Sequence, residues 1–227
     1  MSDPRTLLDF ARGPAFFAAF CILIAGIVWR TSGLLLLRWR RNLAKPRIAG
    51  SIAAVTGGLR AVAMRSVPPH ELEKNITFQH FTGYAWHIGW FVTFLFLGAH
   101  LPLIRSILGF GWPNLPNGIL LVITAITLGI LLTLYIRRLF HPVLRVITDL
   151  DDHISVLLTI LPLVTGIAAF AHWSVLGLRY ETMLAIHILS VEALMVWLPF
   201  GKIYHCATGL LTRFRLGATF IRRGVRA

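Results

Sequence analysis

Cysteine is nearly absent: the 227 residues hold two, Cys21 and Cys206. Two thiols exclude an iron–sulfur cluster ligated by cysteines within the chain, and they exclude a disulfide framework. No Cys-x-x-Cys-His occurs, so covalent attachment of a c-type haem is excluded as well. Acids are scarce, nine against 22 lysines and arginines, for a formal net charge of +13. Such an excess raises the question of nucleic acid. The basic residues stand at the ends of apolar runs, however, where they report topology, and nucleic acid is rejected as a partner. Polar sequence of every kind is short: 56% of residues are hydrophobic and the mean hydropathy is +0.74. A soluble domain averages roughly 45–50% apolar, so a bilayer is the natural solvent and a single membrane domain over 1–227 is expected. Asp3 and Asp9 precede the first apolar run and no small-residue cleavage pattern follows it, so no cleaved signal peptide is expected.

What is present is five apolar runs, at about 14–30, 78–108, 118–136, 154–171 and 183–203. Each is read as a membrane-spanning helix, giving an all-α integral membrane fold, a five-helix bundle. Residues 31–77 form a basic connector with Arg38, Arg40, Arg41, Lys45, Arg47, Arg60, Arg65 and Lys74. It holds Gly57-Gly58 and Pro68-Pro69, and its apolar pieces are too short to cross, so a short helix on the membrane surface is the most it should form. The segment 109–117 (GFGWPNLPN) is a turn, and 139–152 a polar connector with Asp149, Asp151 and Asp152. A short loop, 173–182, precedes the last span, and a basic tail, 204–227, closes the chain. Five spans put the termini on opposite sides. The side with the first and third connectors and the tail carries 18 Lys and Arg; the other carries Arg5, Arg12, Arg105 and Arg179. That bias places the N-terminus outside and the C-terminus in the cytoplasm, in a bacterial cytoplasmic (inner) membrane.

Titratable side chains within a span are rare and are functional candidates by default. Nine histidines occur. His141, His153 and His172 lie at span edges or in connectors and are read as ordinary interfacial residues. His87, His100 and His187 lie well within spans. His205 is interfacial, but it follows His187 by 18 residues. At about 100° per residue that is five whole turns, so on one helix both rings leave the same face. At about 1.5 Å rise they stand roughly 27 Å apart, close to the roughly 30 Å of a hydrocarbon core. The second and fifth spans run in opposite directions, so depth pairs His87 with His205 on the cytoplasmic side and His100 with His187 on the outer side. Axial imidazoles from two facing helices are how a helical bundle holds low-spin haem, and the expected cofactors are two haem b. One spacing fits badly. Thirteen residues separate His87 from His100, which on an ideal helix leaves the rings roughly 140° apart. His80 is therefore held as a reserve ligand, and Pro199 is expected to kink the fifth span just before His205.

The chain resembles the γ subunit of respiratory nitrate reductase and its relatives, including the cytochrome b subunit associated with dissimilatory sulfite reductase. The resemblance rests on the five-span layout, WHIG at 86–89, RRLFHP at 137–142, and the 18-residue step from His187 to His205 with its LPFGKIYH ending. It covers most of the chain and departs in the second span, where the γ subunit spaces its histidines more closely than 13. The resemblance implies that His87 and His205 hold a cytoplasmic-side haem, and His100 and His187 an outer-side one. It further implies a subunit that passes electrons between membrane quinone and cytoplasmic iron–sulfur and catalytic subunits, without a complete catalytic site of its own. For the quinone, Arg105 is the nearest candidate donor beside His100. Two other readings stand beside this one. A hydrogenase- or formate-dehydrogenase-type cytochrome b would draw ligands from further spans, for instance His153 or His172. A small non-haem transporter or assembly factor would use its histidines at the interface, and the inverted repeat expected of a transporter is not seen in the sequence.

Overall fold

A computed structural model describes residues 4–36, 45–48, 50–67, 73–172 and 177–225. Arg38, Arg40, Arg41, Pro68-Pro69, Trp173 and Arg226 lie outside them. The described residues are helical, with no strand among them. Four helical segments are long and apolar enough to cross a membrane: Arg5–Gly33, Asn117–Phe140, Leu150–Phe170 and Tyr180–Trp197. A fifth crossing arises only if Ile76–Phe96 and Leu101–Leu108, bent by 81° at their junction, are taken together. The large apolar side chains turn outward: Phe17 is 70% exposed, Phe81 72% and Ile126 58%. The buried seams mix leucine and isoleucine with small and hydroxyl-bearing residues, among them Ala11, Ala185, Thr127, Ser155 and Ser190. That distribution suits helices solvated by lipid, where close approach and interhelical hydrogen bonds replace hydrophobic driving force.

Contacts divide the chain into two compact units, 1–22 with 79–197, and 23–78 with 198–227. In the first unit, α1 (Pro4–Phe10) leads through a π-helical turn (Ala11–Ala15), which contains Pro14, into α2 (Phe16–Leu36). Leu8 and Ala11 bury against Ala185 of α9 (Tyr180–Trp197). Three further helices close on one another: α4 (Glu73–Phe96), α6 (Asn117–Phe140) and α8 (Leu150–Phe170). Leu131, Ile160 and Leu163 form their core, flanked by Trp86 and Trp90. Gly89 lies so close to Thr127 that no side chain fits there, and one turn on, the Thr93 and Thr124 hydroxyls meet at 3.0 Å. Beyond α4 runs the short α5 (Leu101–Leu108), ended by Gly109 at φ 77°. A second short helix, α7 (Pro142–Ile147), takes the His141 ring as its N-cap. Asp149 and Asp152 form a capping box at the start of α8, and Arg138 pairs with Asp152 at 3.2 Å.

In the second unit α3 (Ser51–Met64) and α10 (His205–Arg222) pack at the closest approach helices allow. Gly217 meets Ala61 and the Gly57 carbonyl, while Phe214 covers Gly58. A small-residue stripe of this kind brings backbones together where apolar burial drives little. The connector thus contains the short helix its sequence allowed, and the expected tail is a helix packed against it. Arg30 donates to the Pro199 carbonyl (2.7 Å) and the Phe200 carbonyl (3.2 Å) and lies 4.4 Å over the Tyr204 ring. Tyr204 in turn reaches the Thr31 hydroxyl at 2.8 Å. The LPFGKIYH segment is therefore a helix break, its carbonyls held by the arginine that ends the first apolar run.

Two expectations about helix continuity are corrected. The fifth span does not run as one helix from 183 to 203: α9 stops at Trp197, and a 3-10 turn (Lys202–Tyr204) intervenes before α10 begins at His205. Pro199 lacks an amide proton and its ring fills the space above Gly26, so the chain turns where a kink was expected. The five-turn phase between His187 and His205 does not exist as a helical relation. Nor is 78–108 continuous. It breaks at 97–100, and His100 caps α5 rather than projecting from α4. The misfit of thirteen residues is resolved by that break.

Candidate functional site

His100 and His187 meet. Their ring centroids stand 6.2 Å apart and their planes lie within 15° of parallel. His100 reaches this position because the break at 97–100 turns the chain and Pro102 starts α5 immediately after it. Its Nδ1 donates to the Phe94 carbonyl at 3.0 Å, across the break. His187 comes from the second turn of α9 and lies flat on α8. A Cβ on Gly166 would stand 3.1 Å from its Cε1, so the glycine makes room for the ring. The His187 Nδ1 faces the Thr165 hydroxyl at 3.2 Å. That hydroxyl also lies 2.8 Å from the Leu161 carbonyl and 3.0 Å from the Ser190 hydroxyl, which donates to the His187 carbonyl at 2.6 Å.

The same pattern recurs at the other candidate ligands. His87 Nδ1 donates to the Gly83 carbonyl at 2.6 Å, and His205 Nδ1 to the Lys202 carbonyl at 2.9 Å. At His100, His87 and His205 the carbonyl partner makes Nδ1 the donor, the arrangement by which metal-ligating histidines anchor their second nitrogen. His87 also stacks on Trp86 at 3.7 Å. His205 is exposed, its Nε2 4.0 Å from the Cys206 thiol. That contact, followed by the donation to Lys202, raises its imidazole to about 9 against an opposing effect of burial, so ligation there would first displace a proton. His87 and His205 fall in different units.

The remaining candidates have plainer surroundings. His80 meets the Tyr84 ring edge-on at 4.9 Å. Arg105 is exposed and lies along Gly111. His153 bonds the Tyr135 hydroxyl at 3.1 Å, and His141 caps α7. His172 sits at φ 52° after α8, its ring 4.5 Å from that of Tyr180.

His100 and His187 are the residues that could hold a haem iron between them, two imidazoles from different helices being the donor set such a group takes. Among the described residues no three His, Cys, Asp or Glu side chains converge as a protein-only metal cage requires.

Two further residues were not singled out from sequence. Trp90 Nε1 and Glu192 Oε1 are buried and have no hydrogen-bond partner among the described residues. Gly166 is the third feature missed, because a glycine inside an apolar run gives no sign of what lies over it.

Comparison with known proteins adds one relative. No family model matches, and no solved structure matches. A Nitratidesulfovibrio vulgaris protein, whose name says no more than "protein", is 28% identical over 223 residues, 95% of this chain and 94% of its own length.

Proposed function

We propose that this chain is a membrane-embedded, b-type haem-binding electron carrier, the quinone-reacting subunit of a larger oxidoreductase. The observation that supports it most is the pair of near-parallel imidazoles of His100 and His187, both anchored through Nδ1. Haem held there would supply reversible one-electron chemistry at iron. The chain's own part is to present two neutral nitrogens from α9 and the α4–α5 break. The second haem b, expected at His87 and His205, is proposed from the sequence alone. In the orientation given by the basic residues, N-terminus outside, the His100 and His187 pair lies toward the outer surface and His205 toward the cytoplasm. Quinol would be oxidised on the outer side, beside Arg105 in the last turn of α5. Electrons would leave on the basic cytoplasmic side to iron–sulfur and catalytic subunits, whose acidic surfaces that charge would attract.

A pyridine haemochrome assay against protein concentration tests the reading. Purified protein is expected to carry close to two b haems per chain. A value near one would remove the second pair, and a colourless preparation would overturn the proposal.

A further inference from the structure

Glu192 is a buried acid within a candidate span, and the histidine site does not use it. It lies in α9, twelve residues past Tyr180 and five before Trp197, roughly 18 Å and 7.5 Å from the two ends of the helix. It is 5% exposed, and its Oε1 has no hydrogen-bond partner among the described residues. It makes no ion pair there either. Seven residues separate it from Ala185, two turns of helix, so the two share a face. Ala185 packs on Leu8 and Ala11, and α9 as a whole packs on α1, on the π turn and on α8.

The ionisable groups on those elements stand elsewhere. Arg5, Asp9 and Arg12 are exposed, while Asp151, Asp152 and His153 sit in the first turn of α8, Asp152 already paired with Arg138. Ionised, the carboxyl would be an uncompensated charge within an apolar helix, which is costly. Protonated, it is neutral and has a hydroxyl to donate. The N-terminal segment that α9 packs on has a π turn with Pro14 inside it. There Pro14 contributes no amide donor to the turn.

We propose that Glu192 is a proton-binding site within the membrane, a carboxyl that takes up and releases a proton where α9 packs on the N-terminal helical segment. The equilibrium is simple: the carboxylate binds one proton to give the neutral acid, and no other group is oxidised or reduced. The proposal rests on α9 crossing a membrane, and it needs no haem.

Native membranes containing the full chain are treated in parallel with a membrane-permeant hydrophobic carbodiimide and with a water-soluble one, and Glu192 is followed by peptide mass spectrometry. The permeant reagent, which attacks protonated carboxyls, is expected to modify Glu192, and the soluble one to leave it untouched. The rate should fall as pH rises, on the order of tenfold per pH unit once the acid ionises. Infrared spectra should show a protonated-carboxyl band that shifts in D2O and disappears in Glu192→Gln. Equal modification by both reagents would mean a water-exposed carboxylate and would overturn the proposal. No modification, or a rate and band indifferent to pH and D2O, would mean a sealed structural acid and would overturn it equally. Alkaline carbonate extraction of the same membranes tests the span separately. Release of the chain would refute the membrane reading itself.

Discussion

At the scale of single residues, the tautomer of the histidines is the most informative feature. Nδ1 of His100 and of His187 is fixed by a carbonyl and a hydroxyl, which aims Nε2 rather than leaving the ring to choose. If the two rings share one iron, His100→Ala and His187→Ala should each abolish the same spectral component in a redox titration and spare the other. Loss of different components by the two variants would break the pair. Gly166 offers a subtler check. A branched side chain there must push the His187 ring away, because even a Cβ would lie 3.1 Å from it. Gly166→Val is expected to lose the haem of that pair while the protein still inserts, a split readable as haem per chain against protein per membrane. The sequence pointed to His87, His100 and His187 by their depth in apolar runs, and to His205 by an 18-residue step that does not lie on one helix. It could not show Gly166, Thr165 or the Phe94 carbonyl, because which backbone atom faces a ring depends on how α8 and α9 pack.

At the scale of helices, the continuous apolar runs were legible and the breaks were not. The spans at 118–136 and 154–171 correspond to α6 and α8 because Arg137, Arg138 and the Asp149 capping box punctuate them. Hydropathy is blind to a turn made of Leu97, Gly98, Ala99 and His100, since such a turn stays apolar throughout. The only trace it left was thirteen residues where fourteen would have kept phase. The tail was read as charge alone, yet α10 carries Gly217 at its tightest contact with α3. Gly217→Val should force the two helices apart, at a cost of about 1–3 kcal/mol by analogy with overpacked cores. The expected result is a lower thermal midpoint in detergent and faster proteolysis between α2 and α4, with the haem content of the His100 and His187 pair unchanged.

At the scale of the whole molecule, distribution of charge carries the orientation. Lys and Arg number 18 on one expected side and four on the other. Cys206 makes the orientation measurable, because both native cysteines are exposed and only Cys206 stands beyond the apolar helices. With Cys21 replaced by Ser, a membrane-impermeant maleimide should label Cys206 in inverted vesicles and not in right-side-out ones. Labelling only in right-side-out vesicles would reverse the orientation and put the His100 and His187 pair on the cytoplasmic side.

The anchoring of four imidazoles by their own backbone and hydroxyl neighbours has a consequence for how the protein is made. Rings already tethered have little freedom left to lose, so on the proposed function the entropic penalty of capturing a flat ligand would fall on helix assembly, and insertion and helix docking would precede haem.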